Sequence, residues 1–436
     1  MQKIKITALL LVLIVTMGAL PAFAGDVKLQ VNGDQANIFD VIKKDGTSMI
    51  SATAFARLSG ADAEKTGENT IKITEQSKTL ELTAGELRGK LDNEHVQLPC
   101  TPLKSGTKFF IPLRFTAAAF GYDVSWNQTR ETVILTRDEK RDGMTPADLL
   151  VKSNQVLQDI NTYTMEGTLD INMNFALDGK AMKNAPQNLA IEISGQVLNN
   201  PMEMYIKQKM SPLPKGGPKE ITIETYTTGS KMYLKTQELG WVEQETAFPA
   251  GFWEEQQDIQ SDPVKAVKQM KEMGVLLNFG NDVTIEGRDY YVVNGSLDTE
   301  KFQQGYQEMM QKLLQAFQQQ ENTEVDSAKI QEFIQQLFNN MQLDYYYTVY
   351  INKDSLLTDI VEYDVNVNCT LSPGDIMEQT QQKPGAPGEI IISYDMKGKF
   401  NIKDPDKPFK APDVSNAKKM EDLRRLKQDS GQSGEQ

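Results

Sequence analysis

The 436-residue sequence holds a single histidine, His95, and only two cysteines, Cys100 and Cys369. One imidazole cannot build a site of two histidines and a carboxylate, nor the common zinc centres with several His or Cys ligands. It leaves a serine or cysteine nucleophile one candidate base, and no G-x-S-x-G elbow occurs. His95 lies in the polar stretch Asn93-Glu94-His95-Val96-Gln97, a turn or strand edge, and is expected to be exposed and structural. No pair among the 60 acids stands out by spacing. The expectation is a protein without a catalytic residue, metal or cofactor. Two cysteines far apart are no disulfide framework; two small buried thiols are favoured over a bridge between domains.

Positive charge is also scarce. The formal net charge is −14, which offers no basic footprint for nucleic acid and would be repelled by an anionic membrane surface. Long apolar runs are missing after the first residues. Lys3 and Lys5 precede an apolar run from Ile6 to Leu20, followed by Pro21 and Ala22-Phe23-Ala24. This order predicts a secretory signal peptide over residues 1–24, cleaved before Gly25. The alternative, a membrane anchor, would want about 20 apolar residues where the run has about 15. No cysteine follows the cut to carry a lipid, and no later stretch could span a bilayer. The expectation is a secreted, extracellular chain with no transmembrane segment after cleavage.

Two tandem copies come next. Gly46-Thr47-Ser48-Met49-Ile50-Ser51-Ala52-Thr53-Ala54-Phe55-Ala56 recurs as Gly106-Thr107-Lys108-Phe109-Phe110-Ile111-Pro112-Leu113-Arg114-Phe115-Thr116-Ala117. Each copy reads as strand, short helix, Gly turn and strand, with Gly60 and Gly121 ending the helices where a left-handed residue is wanted. Val27–Gly33, Phe110-Ile111-Pro112-Leu113-Arg114-Phe115 and Gly121-Tyr122-Asp123-Val124-Ser125-Trp126 make residues 26–137 resemble the copper amine oxidase N-terminal-like domain. The first copy departs from the pattern, with Ser51-Ala52-Thr53 where the family has Pro-Leu-Arg. The resemblance implies a non-catalytic stalk or cell-wall-associated module that holds neither copper nor the quinone. An oxidase would need three imidazoles and a modified tyrosine, and the chain has one histidine.

A charged stretch, Arg137 to Gly143, separates residues 25–138 from a second domain at 144–413. There Thr145 caps and Pro146 opens a helix. Tyr163, Met165, Leu169, Ile171, Met173 and Phe175 then alternate with polar residues, the period of a long half-buried strand. The alternation returns at 189–197, 202–206, 221–223, 343–351, 361–371 and 390–402, which argues for one large antiparallel sheet. Phe302, Tyr306, Met309, Met310, Leu313, Leu314 and Phe317 fall on one face of a helix, and Ile330 to Phe338 form another. The fold class expected is α+β, a small duplicated β-rich stalk domain followed by a large curved antiparallel half-barrel covered by helices. Residues 414–436 are expected to be a disordered tail.

One N-terminal helix, a curved run of long strands and helices inserted before the last strands resemble the LolA/LppX-type carriers, in an uncharacterised Gram-positive branch. The resemblance implies a lipid or other hydrophobic ligand in a groove. Met165, Leu169, Ile171, Met173 and Phe175 would form one wall, and Phe302, Tyr306, Met309 and Leu313 would face it. Strand methionines suit an adaptable apolar pocket, although ordinary core packing accounts for any one of them; Met202-x-Met204 and Met309-Met310 are too few for a Cu(I) site. The partners expected are a lipid or amphiphile and a cell-wall component. The rival is a purely structural wall or interaction protein whose half-barrel its own side chains fill.

Overall fold

The computed structural model describes residues 28–36, 40–177, 180–181, 188–211, 220–229, 231–236, 239–245, 262–297, 301–302, 341–371 and 389–420. The signal segment 1–24, the helices expected over 303–340 and the tail beyond 420 lie outside the described residues. So do Tyr306, Met309 and Leu313.

The N-terminal module follows its duplication. In the first copy the strand Thr47–Ser51 leads into helix α1 (Ala52–Ser59), Gly60 and the strand Asp62–Lys65. In the second, Lys108–Pro112 leads into helix α2 (Leu113–Ala119), Gly121 and Asp123–Asn127. The two copies meet strand to strand, with Ile111 opposite Ile50 in an antiparallel pair. Where the first copy has lost Pro-Leu-Arg, Ser51 caps α1 by accepting from the Ala54 N–H. Its hydroxyl also donates to Asp40 at 3.1 Å, so the departure still satisfies a helix start. Phe55, Ile50, Ile73, Leu80, Leu82, Ile111 and Leu113 form the shared core. His95 is exposed on the strand Glu94–Gln97. Cys100 is a buried free thiol 3.2 Å from the Met49 sulfur.

The second module is one curled, half-barrel sheet flanked by helices. Helix α3 (Pro146–Asp159) starts as the sequence predicts, with Thr145 and Asp148 in a reciprocal capping box and proline in the first turn. The next strand, Thr162–Leu177, does not sit at an edge. It lies in the middle of the sheet, antiparallel on one side to Asn188–Leu198 and on the other to Ile390–Lys403. Hairpins step outward from it through Glu203–Ser211, Ile221–Thr228, Lys231–Thr236 and Gly240–Glu245. On the other flank the order is Ile390–Lys403, Thr358–Leu371, Met341–Asn352, Arg288–Leu297 and Val275–Phe279. Helix α4 (Pro263–Glu272), capped by Asp262, precedes that last strand. Lys418–Lys419 pair parallel with Val242 and Glu243 at the far edge, so ordered pairing continues past residue 414. Among the described residues no helix is long and apolar enough to cross a membrane.

Candidate functional site

Period two divides the large sheet into two chemically different faces. The register places Leu169 opposite Ile191 and Gly398, Gly398 opposite Tyr363, Tyr363 opposite Tyr347, and Tyr347 opposite Gly295. That row and its parallels form the inner face. From Val275–Phe279 across to Glu203–Ser211, the described inner positions carry no acid or base apart from Asp289 at a hairpin tip. The outer face alternates acid and base, as in Asp170–Lys397–Asp364, and is laced by pairs such as Lys399–Glu362 at 2.8 Å and Lys403–Glu166 at 2.9 Å. Two surface depressions, of about 520 and 380 Å³, both open on this charged outer face.

Met165, Leu169, Ile171, Met173 and Phe175 share one phase of the strand Thr162–Leu177. Ile171 is buried in a cluster with Ile191, Ile193, Leu343, Val365, Val367, Cys369 and Tyr394; Leu169, Met173 and Phe302 pack against it. Met165 and Phe175 are half-buried on the same phase, opposite Ile402 and Ile392. Phe302 is thus the one member of the expected facing set that the structure brings to this wall among the described residues. Toward the other flank, Leu149 and Leu150 of α3 and Val267 of α4 cover Phe279, Tyr291, Val293, Tyr347, Val349 and Ile351.

Sequence reading missed the aromatic group between these two clusters. Tyr345 lies 6.1 Å from Tyr347 and 6.4 Å from Tyr363, whose ring meets Phe400 edge-on at 5.9 Å. Burial pushes the phenol pKa of Tyr345, Tyr347 and Tyr363 upward, so all three stay protonated. The alternation through Leu343–Ile351 carried the signal, since Tyr345 and Tyr347 share the phase of Leu343 and Val349.

The profile of a family of unknown function, DUF6612, matches residues 145–382, more than half of the chain. The chain belongs to the DUF6612 family. The copper amine oxidase N-terminal domain matches residues 30–135. No curated protein matches in sequence. Similar solved structures include the Mycobacterium tuberculosis lipoprotein LppX, at 9% identity over 61% of this chain and 98% of that one, with a TM-score of 0.28. LprF from Mycobacterium bovis aligns at 11% identity over 62% and 96%, with a TM-score of 0.24. A DUF1329 family protein from Desulfovibrio piger aligns at 12% over 62% and 94%, with a TM-score of 0.23.

The copper amine oxidase N-terminal module is fastened to the outer face of the DUF6612 module. The short strand Val275–Phe279 is buried on both sides. Val275 and Phe279 join the core under α3 and α4, whereas Leu276 joins the core of the N-terminal module. Asn278 donates to the carbonyls of Arg57 and Leu58 at 2.9 and 3.1 Å, satisfying the end of α1. Asn294 donates to Asn278 at 3.1 Å, and Thr348 to Asn294 at 2.9 Å, so a chain of side-chain hydrogen bonds crosses three strands to reach α1. Arg57 completes the junction by pairing with Asp344 and, at 3.1 Å, with Asp364.

The charged segment after Arg137, which separates the two modules in the sequence, is tied down by side-chain bonds. Arg137 bonds Glu75 at 2.7 Å, Glu139 at 2.9 Å and the Phe120 carbonyl at 2.9 Å. Glu139 accepts from the Phe279 N–H, and Arg141 pairs with Asp282. Opposite charges close in sequence are here partly mutual partners, so Arg137, Glu139 and Arg141 are half-buried without an apolar residue, while Asp138, Lys140 and Asp142 between them stay exposed.

Proposed function

We propose that the inner face of the DUF6612 half-barrel binds a lipid or other hydrophobic ligand, and that the chain is a secreted, cell-wall-associated protein without enzymatic activity. The observation that supports this reading is the inner wall itself, apolar and free of charge across the middle of the sheet while the outer face carries dense ion pairs. An apolar ligand laid on such a wall gains about 25 cal/mol per Å² removed from water. The second reading is a structural wall or interaction protein whose half-barrel is filled by its own side chains. It draws on the burial of Ile171, Val367 and Cys369, at 4, 6 and 2% exposure.

The test is titration of the delipidated protein with the uncharged fluorescent probe N-phenyl-1-naphthylamine. Saturable binding is expected. Met173→Asp, which places a carboxylate on the wall, should weaken it by roughly tenfold or more, because an unpaired charge in an apolar site is costly. The domain should stay folded, since a wall open to a ligand can also admit water. Absence of wild-type binding, together with unfolding of the DUF6612 module by Met173→Asp, would leave only the filled-scaffold reading.

A further inference from the structure

Five phenols among the described residues of the half-barrel donate to a carboxylate. Tyr205 donates to Glu224 at 2.6 Å, Tyr226 to Glu203 at 2.5 Å, Tyr290 to Asp359 and Tyr350 to Glu362 at 2.9 Å each, and Tyr291 to Asp142. The inner trio differs. The Tyr347 hydroxyl is buried and has no hydrogen-bond partner, and none is found among the described residues for Tyr345 or Tyr363. A phenylalanine would fill the Tyr347 site as well and avoid burying an unpaired hydroxyl. Gly295 makes room for that ring: a Cβ there would stand 2.6 Å from the Tyr347 oxygen. Tyr347 therefore lies flat over Gly295, in the cluster shared with α3 and α4.

We infer that Tyr345, Tyr347 and Tyr363 anchor the polar group of an uncharged amphiphile, an apolar chain bearing an ester, amide or hydroxyl. This deepens the ligand reading and rests on it. The trio supplies neutral donors, so an ester or amide carbonyl can accept from a phenol in a water-poor setting where such a bond is strong. A carboxylate or phosphate group would find no cation on the described inner wall, and would lose its hydration without compensation. The apolar chain would run along the wall formed by Leu169, Ile171 and Met173.

Three fluorescent probes that share one chain separate the outcomes: 1-dodecylpyrene, pyrenedodecanoic acid in its ionised form and the methyl ester of that acid. The full mature protein should bind the methyl ester about tenfold more tightly than either of the others, the worth of one hydrogen bond made away from water. Tyr347→Phe should erase the ester's advantage and leave dodecylpyrene binding and the melting temperature of the free protein undiminished. Tyr363→Phe should reduce the same advantage, and Tyr350→Phe, on the outer face, should leave it intact. Equal binding of all three probes, or preference for the ionised acid, would overturn the anchor while keeping the hydrophobic-ligand reading. A Tyr347→Phe protein that melts lower and keeps the ester preference would show that the hydroxyl serves the fold. If no probe binds, the ligand reading fails and the anchor with it.

Discussion

Gly60→Ala should destabilise the protein by several kcal/mol in urea unfolding, far more than the equivalent change in the second copy, Gly121→Ala. Both glycines end a repeat helix with positive φ, 75° and 83°, and an alanine forced into that left-handed region costs about 1–2 kcal/mol. Their surroundings differ. A Cβ on Gly121 would meet nothing nearer than the Arg137 side chain at 4.0 Å. A Cβ on Gly60 would stand 2.6 Å from the Phe279 carbonyl carbon and closer still to its oxygen. Backbone cannot swing aside as a side chain can, so α1 would have to retreat from the Val275–Phe279 strand. That retreat would break the hydrogen bonds from Asn278 to Arg57 and Leu58 and draw Leu276 out of the N-terminal core. Losing a buried polar junction and a core contact together belongs to the large-effect class of substitutions. Equal costs for the two variants would mean that the modules are not held together at α1.

The contrast between the two glycines also marks how far the sequence could be read. Duplication and helix-ending glycines were visible because they are local. Which of the two glycines another module presses against depends on tertiary contact. The long strands were equally legible: Tyr163 to Phe175 alternates cleanly because one face meets apolar side chains and the other meets water. Val275-Leu276-Leu277-Asn278-Phe279 defeats that logic, since both of its faces are buried and its polar residue is as deep as its apolar ones. Asn278, Asn294 and the half-buried Thr348 are polar residues that no periodicity singles out, yet they are joined in one chain of hydrogen bonds. The tyrosine trio hid for a different reason. Tyr345-Tyr346-Tyr347 puts the same residue type on both faces, so the phase shows only in the flanking Leu343 and Val349 and is blurred at the tyrosines themselves. Only the register separates Tyr346, beneath Arg57 at 5.3 Å, from the inner pair.

Arg137→Met should cost about 3–5 kcal/mol, the usual penalty for removing one partner of a buried ion pair, and the loss should shrink as pH falls. The guanidinium is 13% exposed and bridges Glu75 and Glu139, themselves 11 and 13% exposed, while its face covers the Tyr122 ring at 4.3 Å. Methionine fills much of the same volume, so the deficit is electrostatic: two sheltered carboxylates lose their shared cation, and only the more distant charge of Arg141 still acts on Glu139. In the wild type, burial already raises the Glu139 pKa, with the Arg137 charge pulling it back down. Removing Arg137 removes that restraint, and the folded-state value must climb further. A carboxyl whose folded pKa exceeds its unfolded value binds a proton more readily in the folded state. Its contribution to stability is therefore complete below the unfolded pKa and is lost as pH rises through the folded one. The variant should gain unfolding free energy as neutral solution is made mildly acidic, more steeply than the wild type over the same window. Adding Glu139→Gln should recover part of the loss at neutral pH and flatten that slope, because the amide needs no counter-charge. A single Arg137→Met variant that unfolds within about 1 kcal/mol of the wild type, with no pH dependence of its own, would show that the segment is held by packing and that its charges are solvated after all.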